Sequence, residues 1–159
     1  MKKIIYILIL TLSLTNTSFA ASTSSGSSNS DYAKAYNLIK SAKKYEKKGK
    51  TEKAQKKYVK AQKLLLKSNK NKPLQADTLN YLGFTTRKLG DYKKGEEFYL
   101  EGLKIDPNHK GINEYLGELY VVTNRLDLAK ERLEVLKACN CEEFKELKEI
   151  INGTKKSKY

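Results

Sequence analysis

The 159-residue chain has few of the residues with which proteins build metal centres and active sites. It contains one histidine, His109, and two cysteines, Cys139 and Cys141. A closed zinc site takes four ligands, so these three side chains are too few to build one. The chain also lacks the Gly-Xaa-Ser-Xaa-Gly elbow of hydrolases and the phosphate loop that ends in Gly-Lys-Ser/Thr. We therefore expect no enzyme activity and no cofactor, and we expect His109 to be a solvated surface residue.

Long apolar runs are equally scarce. Residues 4–14 form one, preceded by two lysines and followed by Ser18-Phe19-Ala20. This order of segments is typical of a secretory signal peptide cut after Ala20. The run is too short to cross the ~30 Å hydrocarbon layer, and no longer run follows it. We expect residues 1–20 to be removed on export, leaving a protein that is not transmembrane. Because the residue directly after the cut is not a cysteine, we also expect no lipid anchor.

Acidic residues are few in residues 21–73, the part of the chain that directly follows the leader. Residues 21–30, ASTSSGSSNS, predict a disordered linker, and residues 31–73 then carry fifteen lysines against three acidic residues. Residues 74–153 have a net charge of −3, and residues 154–159 form a basic tail. The predicted basic patch consists of Lys43, Lys44, Lys47, Lys48, Lys56 and Lys57. It could bind an anionic envelope surface, or it could be a solvated helix face. Because the protein is predicted to be exported, no nucleic acid partner is expected.

Two adjacent segments of 34 residues share one pattern. Residues 76–109 read ADTLNYLGFTTRKLGDYKKGEEFYLEGLKIDPNH, and residues 110–143 follow directly. The correspondences, each 34 positions apart, are Leu82-Gly83 with Leu116-Gly117, Gly90 with Asn124, and Gly95 with Ala129.

The two segments resemble the tetratricopeptide repeat (TPR) family, which has this period. A third, degenerate unit lies at residues 35–68, and the segment NKNKPLQ separates it from the second. The resemblance implies an all-α fold: a right-handed α-solenoid of three helix hairpins, followed by a capping helix at about 141–152, together spanning residues 31–153. It also implies a concave groove, lined by the first helix of each hairpin, that binds a peptide or a partner protein.

The repeated small and polar residues have physical roles of their own. Gly83 and Gly95, like their counterparts in the other units, are predicted to let paired helices cross closely. Left-handed turns are predicted at Gly49, Gly90 and Asn124, and Gly153 is expected to end the last helix. Asp91 and Thr51 are predicted to cap the second helices of their hairpins.

Counting positions along each unit predicts the side chains that line the groove. These candidates are Asn80, Phe84, Arg87, Lys88, Glu114 and Glu118. Asn80 and Arg87 are expected to hydrogen-bond a peptide backbone or carboxylate, and Phe84 to hold an apolar side chain. The alternative is that all six lie on ordinary solvated faces.

Some family members hold a C-terminal carboxylate with Lys, Asn and Arg side chains on the first helices. The matching positions here are Ile39, Lys43, Tyr81, Gly111 and Tyr115. Four of these five donors are missing, so the resemblance does not extend to that activity.

The cysteine pair, in KACNCEE, lies where helical periodicity breaks before the capping helix. Extended residues two apart place their Cα atoms ~7 Å from each other, so a disulfide requires the backbone to bend at Asn140. Such a small ring would stabilise the fold by only about 1.5 kcal/mol. Cys139 and Cys141 therefore predict a structural disulfide, with a redox-active pair, a soft-metal site and intermolecular pairing as alternatives.

The runs NHKGINEYLGELY and CEEFKELK also resemble small exported TPR proteins of Gram-negative bacteria, which have a Ser-rich leader and two cysteines, farther apart than here, at the same junction. This resemblance implies a periplasmic location. The hypothesis is a non-catalytic periplasmic scaffold or adaptor. The alternatives are a thiol-disulfide or metal-handling protein that uses the cysteines and an anionic envelope-surface binder that uses the Lys-rich first repeat.

Overall fold

The computed structural model describes residues 30–157, and these residues form helices and turns without a β-strand. The predicted signal peptide, residues 21–29 of the predicted linker, and residues 158–159 lie outside this range. The helices are α1 (Asp31–Lys47), α2 (Thr51–Asn71), α3 (Ala76–Lys88), α4 (Tyr92–Ile105), α5 (Lys110–Val122), α6 (Leu126–Leu136) and α7 (Glu142–Ile151), with a 3-10 turn at Lys137–Cys139. In this part of the chain, every helix is too short or too polar to cross a membrane.

The helices pair as three hairpins, α1 with α2, α3 with α4, and α5 with α6, and the hairpins stack through α2 on α3 and α4 on α5. Helix α7 then packs on α5 and α6. This all-α arrangement confirms the predicted helical-hairpin solenoid. The capping helix occupies residues within the range predicted for it.

Turn chemistry fixes where the hairpins reverse. Gly49 and Gly90 have φ of +67° and +97°, and Asn124 has φ of +58°, so the predicted left-handed turns are confirmed. Asp91 accepts a hydrogen bond from the Lys94 amide at 2.9 Å, which confirms it as a cap. Thr51 was a wrong prediction: it is already the first helical residue of α2, and Lys50 precedes it without a side-chain cap.

Small residues allow helices to approach closely, as predicted. The repeat pattern suggests that the two helices of each hairpin meet at these residues, and this does not hold in every hairpin. A Cβ on Gly95 would lie 3.1 Å from the Gly83 carbonyl oxygen, so α3 and α4 cross there. Gly117 instead faces α7, where a Cβ would lie 2.5 Å from Leu147. The third hairpin therefore uses its small residue to seat the capping helix. Gly153, with φ of +73°, follows the end of α7 as predicted.

Candidate functional site

The first helices of the three hairpins, α1, α3 and α5, are joined by aromatic side chains. The Tyr36 and Tyr81 ring centroids lie 5.4 Å apart, linking α1 to α3, and Tyr32 lies 6.1 Å from Tyr81. Phe84 and Tyr115, at 5.1 Å, link α3 to α5. We call Tyr32, Tyr36, Tyr81 and Tyr115 the tyrosine row. Tyr36 is 38% exposed and the other three are partly buried, so the row is partly accessible to solvent.

Lys43 lies against the inner part of this face. Its Nζ donates a hydrogen bond to the Tyr115 hydroxyl at 3.0 Å and lies 4.4 Å from the Phe84 ring centroid. A cation over an aromatic ring is attracted to the ring's negative face, and the attraction strengthens when both groups are partly desolvated. Lys43, Phe84 and Tyr115 therefore form one group, which we call the aromatic cluster.

Burial raises the pKa of three phenols of the row, those of Tyr32, Tyr81 and Tyr115. Burial raises the pKa of Tyr115 and Tyr81 above the ordinary range, with Glu114 contributing to both. Burial, then Asp77 and Tyr36, raises the pKa of Tyr32 to about 12. These three hydroxyls therefore stay neutral at neutral pH and keep a proton to donate.

The six predicted groove residues are largely enclosed in the structure. Their exposures are Asn80 4%, Phe84 1%, Arg87 2%, Glu114 6% and Glu118 0%, and the Lys88 side chain is 9% exposed. Direct contact with a ligand by these side chains stays a prediction. In the structure these side chains lie between helices, because the hairpins pack against each other on the side of the first helices that carries them.

Arg87 and Glu118 form the buried polar centre of the domain. One Arg87 Nη atom donates to the Tyr115 carbonyl oxygen, and the other lies 3.7 Å from Glu118 Oε2, with both side chains fully buried. This contact joins α3 to α5 across the boundary between two hairpins. Arg87 therefore acts in the structure as an interhelical connection.

Glu118 also belongs to a group of three carboxylates. One oxygen each from Glu114, Glu118 and Glu146 lies within 4.8 Å of the others. Arg87 supplies one positive charge, and Lys155 Nζ supplies another, 3.1 Å from Glu146. The chain thus neutralises this acidic group partly with its own C-terminal segment, whose Ser157 hydroxyl donates to Glu118 at 3.3 Å. This contact of the tail could not be predicted from the sequence, because it depends on where α7 ends.

Lys88 connects the first two hairpins. Its Nζ lies 2.7 Å from Glu46, and the same Glu46 accepts a hydrogen bond from the Tyr58 hydroxyl at 2.8 Å. Burial and this carboxylate raise the pKa of Tyr58. Lys88 therefore binds α3 to the α1–α2 hairpin through a shared acceptor.

His109 is not the solvated residue expected from the sequence. Its side chain is 15% exposed, its Nδ1 accepts a hydrogen bond from the Ile112 amide at 3.1 Å, and its Nε2 lies 3.1 Å from Asp77. Because Nδ1 accepts, the neutral ring carries its proton on Nε2 and donates it to Asp77. His109 thus caps α5 and ties it to α3. The sequence prediction missed this because histidine is an uncommon helix cap.

The six lysines of the predicted basic patch are distributed over the first hairpin. Lys43 is in the aromatic cluster, Lys44 and Lys47 are exposed on α1, and Lys48 is exposed directly after it. On α2, Lys56 pairs with Glu52 at 2.6 Å, and Lys57 lies over the Tyr45 ring. An anionic partner for this set stays a prediction, and the structure divides the set between two helices.

Cys139 and Cys141 are joined in a disulfide, with Cα atoms 5.1 Å apart. Asn140 between them has φ of +44°, which confirms the predicted bend. Cys141 is also the residue before α7, so the ring lies at the junction of the third hairpin and the capping helix. The structure supports the pairing, and a redox function of the pair stays an untested alternative.

The chain matches no protein-family model and no curated protein. Among solved structures it is similar to the type III secretion translocator chaperone SycD of Yersinia enterocolitica, at 20% identity and a TM-score of 0.52, covering 75% of this chain and 79% of that one. It is also similar to the first TPR of Spaghetti (RPAP3) bound to an HSP90 peptide, at 20% identity, a TM-score of 0.49 and coverages of 78% and 98%. The C-terminal TPR-containing domain of a Plasmodium falciparum putative FK506-binding protein matches at 20% identity, a TM-score of 0.48 and coverages of 78% and 89%. At this identity the likeness to SycD concerns the fold alone. The chain has the tetratricopeptide-repeat fold.

Proposed function

We propose that this protein is a non-catalytic scaffold that binds a peptide or a partner protein across its first-helix face, in the periplasm after export. The observation that carries this proposal is the tyrosine row, which crosses α1, α3 and α5. Tyrosine is enriched among the residues that contribute most of the binding energy in protein interfaces. Its ring offers apolar contact area, and its hydroxyl offers a hydrogen bond at the same position.

Charge on either side of the row gives the face a direction. Lys40 lies on α1 with its Nζ 5.6 Å from the Tyr36 ring centroid. Toward the second hairpin stands Asp77 on α3, whose side chain is 72% exposed. A ligand that crosses the row is therefore oriented with its acidic end toward α1 and its basic end toward α3.

Binding without chemistry is consistent with the side chains at hand. The tyrosines of the face offer ring and hydroxyl contacts, and the buried ion pair of Arg87 and Glu118 holds the helices together. SycD, whose fold this chain shares, is a secretion translocator chaperone. The export leader predicted at residues 1–20 supports a periplasmic partner.

The test is affinity capture from envelope extract with the protein from Ala21 and with a Tyr36→Ala/Tyr81→Ala variant. The matched control is Tyr92→Ala/Leu100→Ala, which removes two side chains on α4 that are 41% and 42% exposed. We expect the row variant to lose its captured partners and the control to keep them, with circular dichroism showing that both are folded. If both variants capture the same partners as the native protein, the row does not bind them and the proposal fails.

A further inference from the structure

Helix α2 exposes a lysine-rich face on the side opposite its buried residues. The helix contains seven lysines and one acidic residue, Glu52. Its buried side chains, Ala54, Tyr58, Ala61 and Leu65, lie on one side and pack into the hairpin. On the opposite side, at helical spacing, stand Lys56, Val59, Lys60, Lys63, Leu66, Lys67 and Lys70, all exposed. We call these seven residues the α2 outer face.

Little negative charge reaches this face. Lys56 pairs with Glu52 at 2.6 Å and Lys67 with Asp31 at 3.0 Å, and both lysines remain largely exposed, at 72% and 64%. Lys60, Lys63 and Lys70 form no ion pair within residues 30–157. From residue 56 to residue 70 the stripe is about 21 Å long at 1.5 Å per residue.

Two aliphatic side chains lie along one edge of the lysine stripe. Val59 is 39% exposed and Leu66 is 48% exposed, and they are seven residues apart, so they lie on one line of the helix. A helix face that contacts only water gains no stability from exposed aliphatic side chains. Lysines interspersed with aliphatic side chains are typical of helices that lie in the headgroup region of a bilayer, where the amines reach phosphates and the apolar groups reach the acyl boundary.

We propose that the α2 outer face docks on the surface of an anionic phospholipid bilayer. Lys60, Lys63 and Lys70 attract the lipid phosphates, and Val59 and Leu66 enter the headgroup boundary. The buried side of α2 contacts α1 and α3, so the outer face points away from the helices that carry the tyrosine row. A protein docked in this way can therefore still bind a partner on its first-helix face.

The composition of the face favours a bilayer over a nucleic acid. All of its cations are lysines, which attract diffusely, whereas arginine provides the bidentate contacts common in phosphate and base recognition. Binding of single strands commonly relies on aromatic side chains on which bases stack, and no aromatic ring lies on this face. A lipid surface can bury the aliphatic side chains of Val59 and Leu66, whereas a soluble polyanion cannot.

The test is co-sedimentation of the protein from Ala21 with vesicles of equimolar phosphatidylglycerol and phosphatidylcholine, compared with pure phosphatidylcholine. A Lys60→Gln/Lys63→Gln/Lys70→Gln variant removes the lysines that form no ion pair within residues 30–157. Its matched control, Lys93→Gln/Lys104→Gln/Lys110→Gln, removes the same charge from other exposed positions. Each lysine near an anionic surface contributes roughly fivefold, so we expect the first variant to bind about 100-fold more weakly and the control to retain most of its binding. Added salt should weaken the native binding.

The aliphatic pair distinguishes a bilayer from other polyanions. Val59→Ser/Leu66→Ser should lower vesicle binding about tenfold, whereas Leu126→Ser/Leu128→Ser, which alters exposed leucines on α6, should not. Heparin binding should be unchanged by both pairs. The proposal is overturned if the native protein ignores the anionic vesicles, if both lysine variants lose binding equally, or if the Val59/Leu66 variant binds vesicles as the native protein does. The last result would assign the face to a soluble polyanion.

Discussion

The Tyr99 ring lies directly over Gly83, so that a Cβ at position 83 would stand 2.5 Å from the ring edge. Tyr99 is fully buried, and this contact sets how closely α4 approaches α3. In the second hairpin the Leu-Gly pair of the repeat pattern thus corresponds to one defined contact, in which Gly83 on the first helix receives the Tyr99 ring from the second.

Substitution Gly83→Ala should therefore destabilise the protein. Alanine favours a helix by up to about 1 kcal/mol over glycine, but the clash with a fully buried ring costs about 1–3 kcal/mol and the neighbours have no room to relax. The free energy of unfolding in urea measures the balance. A second substitution, Tyr99→Leu, should relieve the clash, so the double variant should lose less than the sum of its parts. An alanine variant more stable than the native protein would contradict the contact.

The Arg87–Glu118 contact leads to a second prediction. Removing the cation with Arg87→Met leaves the fully buried Glu118 carboxylate without its partner in α3, which should cost about 3–5 kcal/mol. The matched pair is Arg125 with Glu96, at 2.7 Å but with the Arg125 side chain 37% exposed. Arg125→Met should cost about 1 kcal/mol or less, because water can solvate the remaining charge. Equal losses in urea unfolding would show that burial does not govern these two pairs.

The helix hairpins could be predicted because they depend on short-range rules. A glycine or asparagine in each turn and small residues at the crossings recur every 34 positions, and the structure shows left-handed backbone at Gly49, Gly90 and Asn124. The bend at Asn140 followed from the same reasoning, since two cysteines so close can pair only if the backbone turns between them.

The candidate site was harder to predict because it depends on contacts between hairpins. Counting positions placed Arg87 and Glu118 on the groove, yet each finds its partner on a neighbouring hairpin and both are buried. In the sequence, Tyr81 and Tyr115 attracted notice only because they replace the Lys, Asn or Arg side chains that bind a carboxylate in some family members. Their place in a row of tyrosines could not be predicted. The size of the side chains explains the burial of the predicted groove residues. Large rings lie between the first helices, and polar side chains such as Asn80 and Glu118 are buried among them.

Stability should fall in alkaline solution. In the unfolded chain tyrosine has a pKa of about 10, whereas burial raises the pKa of Tyr32 to about 12 and raises those of Tyr58, Tyr81, Tyr99 and Tyr115 further. Above pH ~10 the unfolded chain therefore binds fewer protons than the folded one, and the free energy of unfolding decreases as pH rises. The stabilisation is fully present below pH ~10.

Urea unfolding at a series of alkaline pH values checks this prediction, with phenolate absorbance recorded in parallel. The buried tyrosines should ionise together with unfolding, and the decrease should be shallower in a Tyr32→Phe variant, which has one group fewer to titrate. A free energy of unfolding that stays constant well above pH 10 would mean that the tyrosine row is open to water in solution.

The disulfide should contribute less to stability than the packing of the helix beside it. Closing a ring of three residues removes little entropy from the unfolded chain, so Cys139→Ser/Cys141→Ser should cost about 1.5 kcal/mol. Leu147 is fully buried and lies against Gly117, and Leu147→Ala should cost about 2–5 kcal/mol. Urea unfolding with and without a reductant measures both, and the reductant should leave the double serine variant unchanged. If loss of the disulfide cost more than Leu147→Ala, the ring rather than the Leu147 contact would hold α7 on the third hairpin.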